Sequence, residues 1–163
     1  MLDGIKLVRV DYRLIHGQVI TKWRNTVSMS AIVIVNDELA ADEFMADIYA
    51  MAAPPGVDVR VMTREAFIAD AAAGIYDTGG TLVLFKNISD ASYVVEKGVI
   101  FKQVQIGGLG SGDGRTMVVK GISVDTNDIQ QLEAIASAGA EVTFQVTPEE
   151  QRLTLERAKA KVV

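Results

Sequence analysis

The chain's single histidine, His16, stands in the run Val8-Arg-Val-Asp-Tyr-Arg-Leu-Ile-His-Gly-Gln-Val19. A free imidazole titrates near pH 6.5, so at neutral pH it is largely an uncharged nucleophile. Attack on phosphorus would make it a phosphohistidine. The transferred group then needs its equatorial oxygens neutralised. Arg13, three residues earlier, offers a planar fork suited to phosphate. A helix opening at Gly17 would aim its first N–H groups, that of Gln18 among them, at the same anion. Gly17 itself lets backbone approach closely. Asp11 is placed to orient the imidazole or Arg13. The plain alternatives are a hydrogen-bonded structural histidine and a surface Asp11–Arg13 ion pair, the latter worth under about 1 kcal/mol.

Such chemistry needs a fixed turn, and the flanking pattern supplies one. Ile5 to Val10 reads as a strand, and Gly17 to Trp23 as the start of a helix with Val19, Ile20 and Trp23 inward. Further strands are expected at Ala31–Val35, Val57–Met62, Thr81–Phe85, Val104–Ile106, Thr116–Val119 and Glu141–Gln145. These runs are β-branched and barely alternate, as strands covered on both faces do. Helices are expected at 42–53 with Phe44, Ile48, Met51 and Ala52 on one face, and at Thr63–Ala73, Ser89–Lys97 and Asp125–Ala138. Thr147-Pro148-Glu149-Glu150 reads as a capping box opening a C-terminal helix. Strands alternating with helices predict an α/β fold: a doubly wound, mostly parallel sheet of about seven strands with helices on both faces. The stretch from Val104 to Val124 breaks the alternation around a glycine loop, so an antiparallel strand is expected there. Ligands of such sheets bind beyond the carboxyl ends of the strands, where His16 falls.

Composition removes whole classes. The 163 residues suit one domain, 1–163, with no linker or repeat. Apolar residues make up 49%, too many for a disordered chain. The net charge of −5 argues against a nucleic-acid binder or a polybasic lipid anchor. There is no cysteine, which excludes disulfides and thiolate chemistry and fits a cytoplasmic setting. Mean hydropathy is high at +0.23, yet the most apolar block, Ala31 to Val35, is far too short to span a bilayer. No signal peptide is expected from Met1-Leu2-Asp3-Gly4.

The run from Val8 to Val19 resembles the active-site signature of the IIB component of the mannose/fructose/sorbose family of the phosphoenolpyruvate-dependent sugar phosphotransferase system (PTS). Ile34-Val-Asn-Asp-Glu-Leu-Ala40 with Asp42, Ala52-Ala-Pro-Pro-Gly56, Leu82-Val-Leu-Phe-Lys-Asn87, Ile106-Gly-Gly108, Val124-Asp125 and Gln145-Val146 with Pro148 follow in family order. Gln105 departs from the asparagine usual in the family. The resemblance implies that His16 carries a phosphoryl group on its δ nitrogen. It implies a IIA phosphohistidine as donor and, as acceptor, a sugar held by a membrane IIC/IID complex. No metal or nucleotide cofactor is implied, and the protein would work in the cytoplasm beside the membrane permease.

Secondary candidates are weaker. Asn36-Asp37 and Lys86-Asn87 follow the second and fourth strands and would border the His16 loop if the first strand lay between them, Asp37 as a loop-shaping acceptor. Turn and cap chemistry explains them equally well. The glycines from Gly107 to Gly114 suggest a nucleotide loop, but a strand rather than a helix follows them, so a hairpin-like loop fits better. Ser111 and Arg115 there are candidates to meet phosphate or a partner. A histidine phosphatase or mutase needs an arginine just before the histidine and a second histidine; Ile15 stands there, and the chain has no other histidine. The remaining alternative is a regulatory or binding α/β module that is phosphorylated without onward transfer.

Overall fold

A computed structural model describes residues 2–162, the side chain of Gln18 excepted. Its elements are β1 (Ile5–Asp11), α1 (Gly17–Thr26), β2 (Ala31–Val35), α2 (Asp37–Ala40), α3 (Glu43–Met51), β3 (Asp58–Met62), α4 (Arg64–Ala72), β4 (Thr81–Phe85), α5 (Ile88–Glu96), β5 (Gln103–Gly108), β6 (Thr116–Val119), β7 (Ile122–Val124), α6 (Thr126–Ser137), β8 (Glu141–Phe144), β9 (Leu153–Thr154) and α7 (Leu155–Lys161).

The main sheet has seven strands in the order β3-β2-β4-β1-β5-β8-β9. All pairings within it are parallel except β8 with β9. Alternation along the central strands divides the core. Val8, Val10, Val33, Val35, Val83 and Phe85 point to one face, where Phe67 of α4, Ala91 and Val94 of α5, Leu132 of α6 and Ala158 of α7 close over them. Leu7, Ile32, Ile34, Leu82 and Leu84 point to the other, under Ile20 and Trp23 of α1 and Leu39 of α2. The doubly wound α/β architecture is therefore as expected, with helices on both faces.

Four details differ from the expectation. The sheet's antiparallel strand is β9, near the C-terminus; β6 and β7 pair antiparallel as a separate two-stranded ribbon beyond the glycine loop. Only half of the capping box at Thr147 forms: Glu150 accepts from Thr147 N at 3.0 Å, but Glu150 N donates to the Thr147 carbonyl and not to its hydroxyl, and no helix follows. Carbonyls a helix would have used are taken by a side chain just upstream: Gln145 Nε2 reaches Glu150 O at 2.8 Å and Pro148 O at 3.4 Å. The last helix starts instead at Leu155, capped by Thr154. On α3, the expected inward stripe faces solvent, with Phe44 73%, Ile48 42% and Met51 85% exposed. Met45 and Tyr49 take the core side, because the α2 turn and the Asp42 cap set the helix's rotation. Finally, β1 lies between β4 and β5, not between β2 and β4.

Candidate active site

β1 ends in the sheet's centre, and the loop after it is pinned from below. Leu14 and Ile15 are 1% and 6% exposed, and Leu14 N donates to Asp11 O at 2.9 Å. Leu14 adopts φ 58°, a left-handed conformation that costs a non-glycine residue of order 1–3 kcal/mol and that this burial sustains. The chain then emerges at His16, the N-cap residue of α1, with Gly17 at φ 40°.

Asp11 organises the turn from a fully buried position. Its Oδ1 accepts from Arg13 N at 3.0 Å and Arg13 Nε at 3.1 Å. Its Oδ2 accepts from Arg9 Nη2 and Arg13 Nη2, both at 3.3 Å, and lies 3.0 Å from His16 Nε2. Burial pushes the Asp11 carboxyl upward, but the hydrogen bonds from the Arg13 side chain and backbone, the charge of Arg9 and the bond from His16 outweigh it and hold it below the usual carboxylate range. An ionised carboxylate only accepts, so in the neutral form of the ring Nε2 of His16 carries the proton and Nδ1 the lone pair. The tautomer and the ring's direction are thus fixed by one contact, with the imidazole still 22% exposed.

The helix behind His16 opens differently from the others. α1 has no side-chain cap and no acidic residue in its first turn. Each other helix has both: the caps are Asn36, Asp42, Thr63, Asn87, Asp125 and Thr154. The first-turn N–H groups of α1, next in the chain to His16, therefore have no side-chain acceptor. Two guanidiniums against one carboxylate leave the turn with surplus positive charge.

Beneath this layer lies one that sequence reasoning missed. Arg9, 1% exposed, donates to Gln105 Oε1, to Gln145 O at 3.0 Å and to Val146 O at 2.9 Å. Its Cζ stands 5.5 Å from the Trp23 ring. Gly107 and Gly108 make room: a β-carbon at Gly107 would land on the Arg9 guanidinium, and one at Gly108 would come within 2.7 Å of Asp11 Oδ1. A signal for Arg9 was present, since a charge inside an apolar strand needs buried partners.

Other expected residues lie elsewhere. Asp37 accepts from Arg64 N at 2.9 Å and Arg64 Nε at 3.1 Å, so it braces the β3–α4 junction and not the His16 loop, because β4 separates β2 from β1. Asn36 caps α2. Asn87 caps α5, accepting from Asp90 N at 2.8 Å. Lys86 is exposed, one residue beyond the Phe85 that pairs with Val10, and makes no ion pair or hydrogen bond among the described residues. Arg115 is committed internally to Asp125 at 3.2 Å and Asp128 at 2.8 Å. Ser111 is exposed in the loop. Gln18 contributes its backbone to the first turn of α1, its side chain lying outside the described residues. A cavity of about 320 Å³ lined by Ile68, Ala71, Val99 and Ile100 opens at the amino ends of the strands, the pole opposite His16. No group of acidic or histidine side chains among the described residues is arranged to hold a metal ion.

Comparison with known proteins identifies a family for the chain and its fold. The sequence model of the PTS system sorbose subfamily IIB component matches residues 5–161. The sorbose-specific EIIB component of Klebsiella pneumoniae is 34% identical over 142 residues, covering 87% of each chain. The mannose-specific EIIAB component of Escherichia coli K12 is 34% identical over 151 residues, 93% of this chain; the chain spans about half of that relative's length, 47%. The crystal structure of the IIBSor domain of the sorbose permease from Klebsiella pneumoniae superposes with a TM-score of 0.89 at 31% identity over 98% of both chains.

Proposed function

Because the chain belongs to the sorbose-subfamily IIB component family of the PTS, we propose that it works as one IIB unit that passes a phosphoryl group from a IIA phosphohistidine to a sugar, with His16 as the covalent carrier. The observation that carries this reading is the tie of His16 Nε2 to Asp11 Oδ2 at 3.0 Å, which leaves Nδ1 as the nucleophile at an uncapped helix N-terminus.

In the first step the Nδ1 lone pair bonds to phosphorus as the donor's N–P bond breaks. The donor ring keeps that electron pair, and no net proton moves. The proton on Nε2 stays with Asp11 throughout. Arg13 and the first-turn N–H groups of α1 take the equatorial oxygens. Histidine-to-histidine exchange is nearly balanced in energy, so positioning and charge neutralisation suffice. In the second step a sugar hydroxyl bonds to phosphorus, the Nδ1–P bond breaks with its electron pair returning to the ring, and the hydroxyl proton passes to solvent. The acceptor sugar would be presented by a membrane IIC/IID complex. A relative whose name joins A and B components supports a IIA-type donor. No helix of the described chain is long and apolar enough to cross a membrane, which suits a cytoplasmic subunit docking on a permease. This reading uses no metal or nucleotide.

The test is incubation with a phosphorylated IIA protein. Wild type should gain an acid-labile, alkali-stable phosphoryl group that His16→Ala does not; equal label on both would overturn the assignment. A catalytic amount should then restore sugar phosphorylation to membranes containing the matching IIC/IID. Stoichiometric label without turnover would show a regulatory module instead.

A further inference from the structure

Arg9 has no task in the scheme above, yet it is the most heavily partnered side chain near it. Charge balance alone would be met by Asp11 Oδ2 at 3.3 Å. The guanidinium also donates to Gln105 Oε1 and to three carbonyls, Gly107 O at 3.4 Å, Gln145 O at 3.0 Å and Val146 O at 2.9 Å. These acceptors come from β5 and from the turn after β8. Trp23 of α1 lies against the same guanidinium and donates Nε1–H to Val146 O at 3.0 Å. Arg9 therefore joins β1, β5, the turn after β8 and α1 at one point, directly under the Asp11 carboxylate.

Resting on the reading of His16 as phosphoryl carrier, we infer that Arg9 is a positioning residue for the transfer: its fork fixes Asp11 so that Oδ2 meets His16 Nε2 and Nδ1 faces outward. The two arginines on Asp11 then divide the work. Arg13 is 35% exposed and can turn toward phosphoryl oxygens. When it does, Asp11 keeps Arg9 as its buried cation and His16 keeps its tautomer. The charged groups facing this carboxylate are Arg9 from β1 and Arg13 from the loop, with the His16 ring beside them, while Glu150, from the turn after β8, acts on Arg9. Burial draws Arg9 down to about 10 against the pull of Asp11, which leaves it a cation at neutral pH.

The test compares full-length wild type, Arg9→Lys and Gln105→Leu by two readouts. One is the ¹⁵N shifts of the His16 ring, which report the tautomer. The other is the initial rate of phosphoryl acceptance from phosphorylated IIA. Lysine keeps the charge but cannot bridge a carboxylate and four further acceptors. Arg9→Lys should therefore mix the tautomers and slow acceptance about tenfold or more, as outer partners that orient a histidine do. Gln105→Leu keeps Arg9 and removes one acceptor, and should move both readouts the same way by about threefold. A folded Arg9→Lys protein with wild-type tautomer and rate would overturn the inference. Should that variant not fold, wild-type values for Gln105→Leu would overturn it. Failure of wild type to accept phosphoryl would instead refute the reading of His16, while the ring shifts would still decide the role of Arg9.

Discussion

The turns that open α1 and α6 use the same residue types to opposite ends. At α6, Asp125 accepts from Asp128 N at 2.8 Å, Asp128 returns a bond to Asp125 N at 3.1 Å, and Arg115 closes on both carboxylates. Two carboxylates face one guanidinium, and the capping box satisfies the Asp125 and Asp128 N–H groups from within. At α1 the ratio is inverted: Asp11 is the one carboxylate bonded to Arg9 and Arg13, and no cap or first-turn acid stands at the helix. The first turn is closed to anions and the second is left wanting one. The difference lies in which positions carry the acids, since both turns follow a strand and both are met by an arginine, Arg13 from the turn itself and Arg115 from the loop before β6.

The comparison breaks most sharply at position 16. His16→Asn should reduce phosphoryl acceptance to background while supplying the side-chain cap that α1 lacks, raising stability to urea by about 0.5–1 kcal/mol. Loss of stability would mean that the histidine serves the fold.

Asp11→Asn comes next. It removes the acceptor that fixes the imidazole and leaves Arg9 buried without its carboxylate. Acceptance should fall about a hundredfold, and equilibrium unfolding should show a loss of about 3 kcal/mol or more.

The acid side sharpens the same contrast. Asp11 is held below the usual carboxylate range, so its contribution is present above the unfolded value, about 3.9, and is lost as pH falls through the lower folded value. The stability gap between wild type and Asp11→Asn should therefore narrow below about pH 4. A gap independent of pH would show that the carboxylate is not what stabilises the turn.

The smallest effect belongs to the closed turn. Asp125→Ala should cost about 1 kcal/mol in thermal or urea unfolding and leave the acceptance rate unchanged.

Much of this was legible in the residues. The apolar runs mark the strands of the parallel sheet, and the run from Asp11 to Gly17 places histidine, arginine and aspartate on one turn. Arg9, Gly107, Gly108 and the Gln145–Val146 carbonyls were not read as one layer, because only the β1–β5–β8 register brings them together. Asp37 was misplaced for the same reason, as strand order decides its neighbours. On α3, two apolar faces compete, Phe44–Ile48–Met51 and Met45–Tyr49, and periodicity alone does not choose between them. At Thr147 a local signal for a helix yields to the Gln145 side chain, whose amide takes the carbonyls of Pro148 and Glu150.

The central claim is that Asp11 holds the Nε2 proton so that Nδ1 of His16 takes the phosphoryl group. It is tested most directly by ³¹P–¹⁵N correlation on ¹⁵N-histidine protein phosphorylated by a IIA donor. The account predicts one phosphorus coupled to Nδ1 of His16, with Nε2 still protonated. Phosphorus on Nε2, or on any other residue, would contradict it.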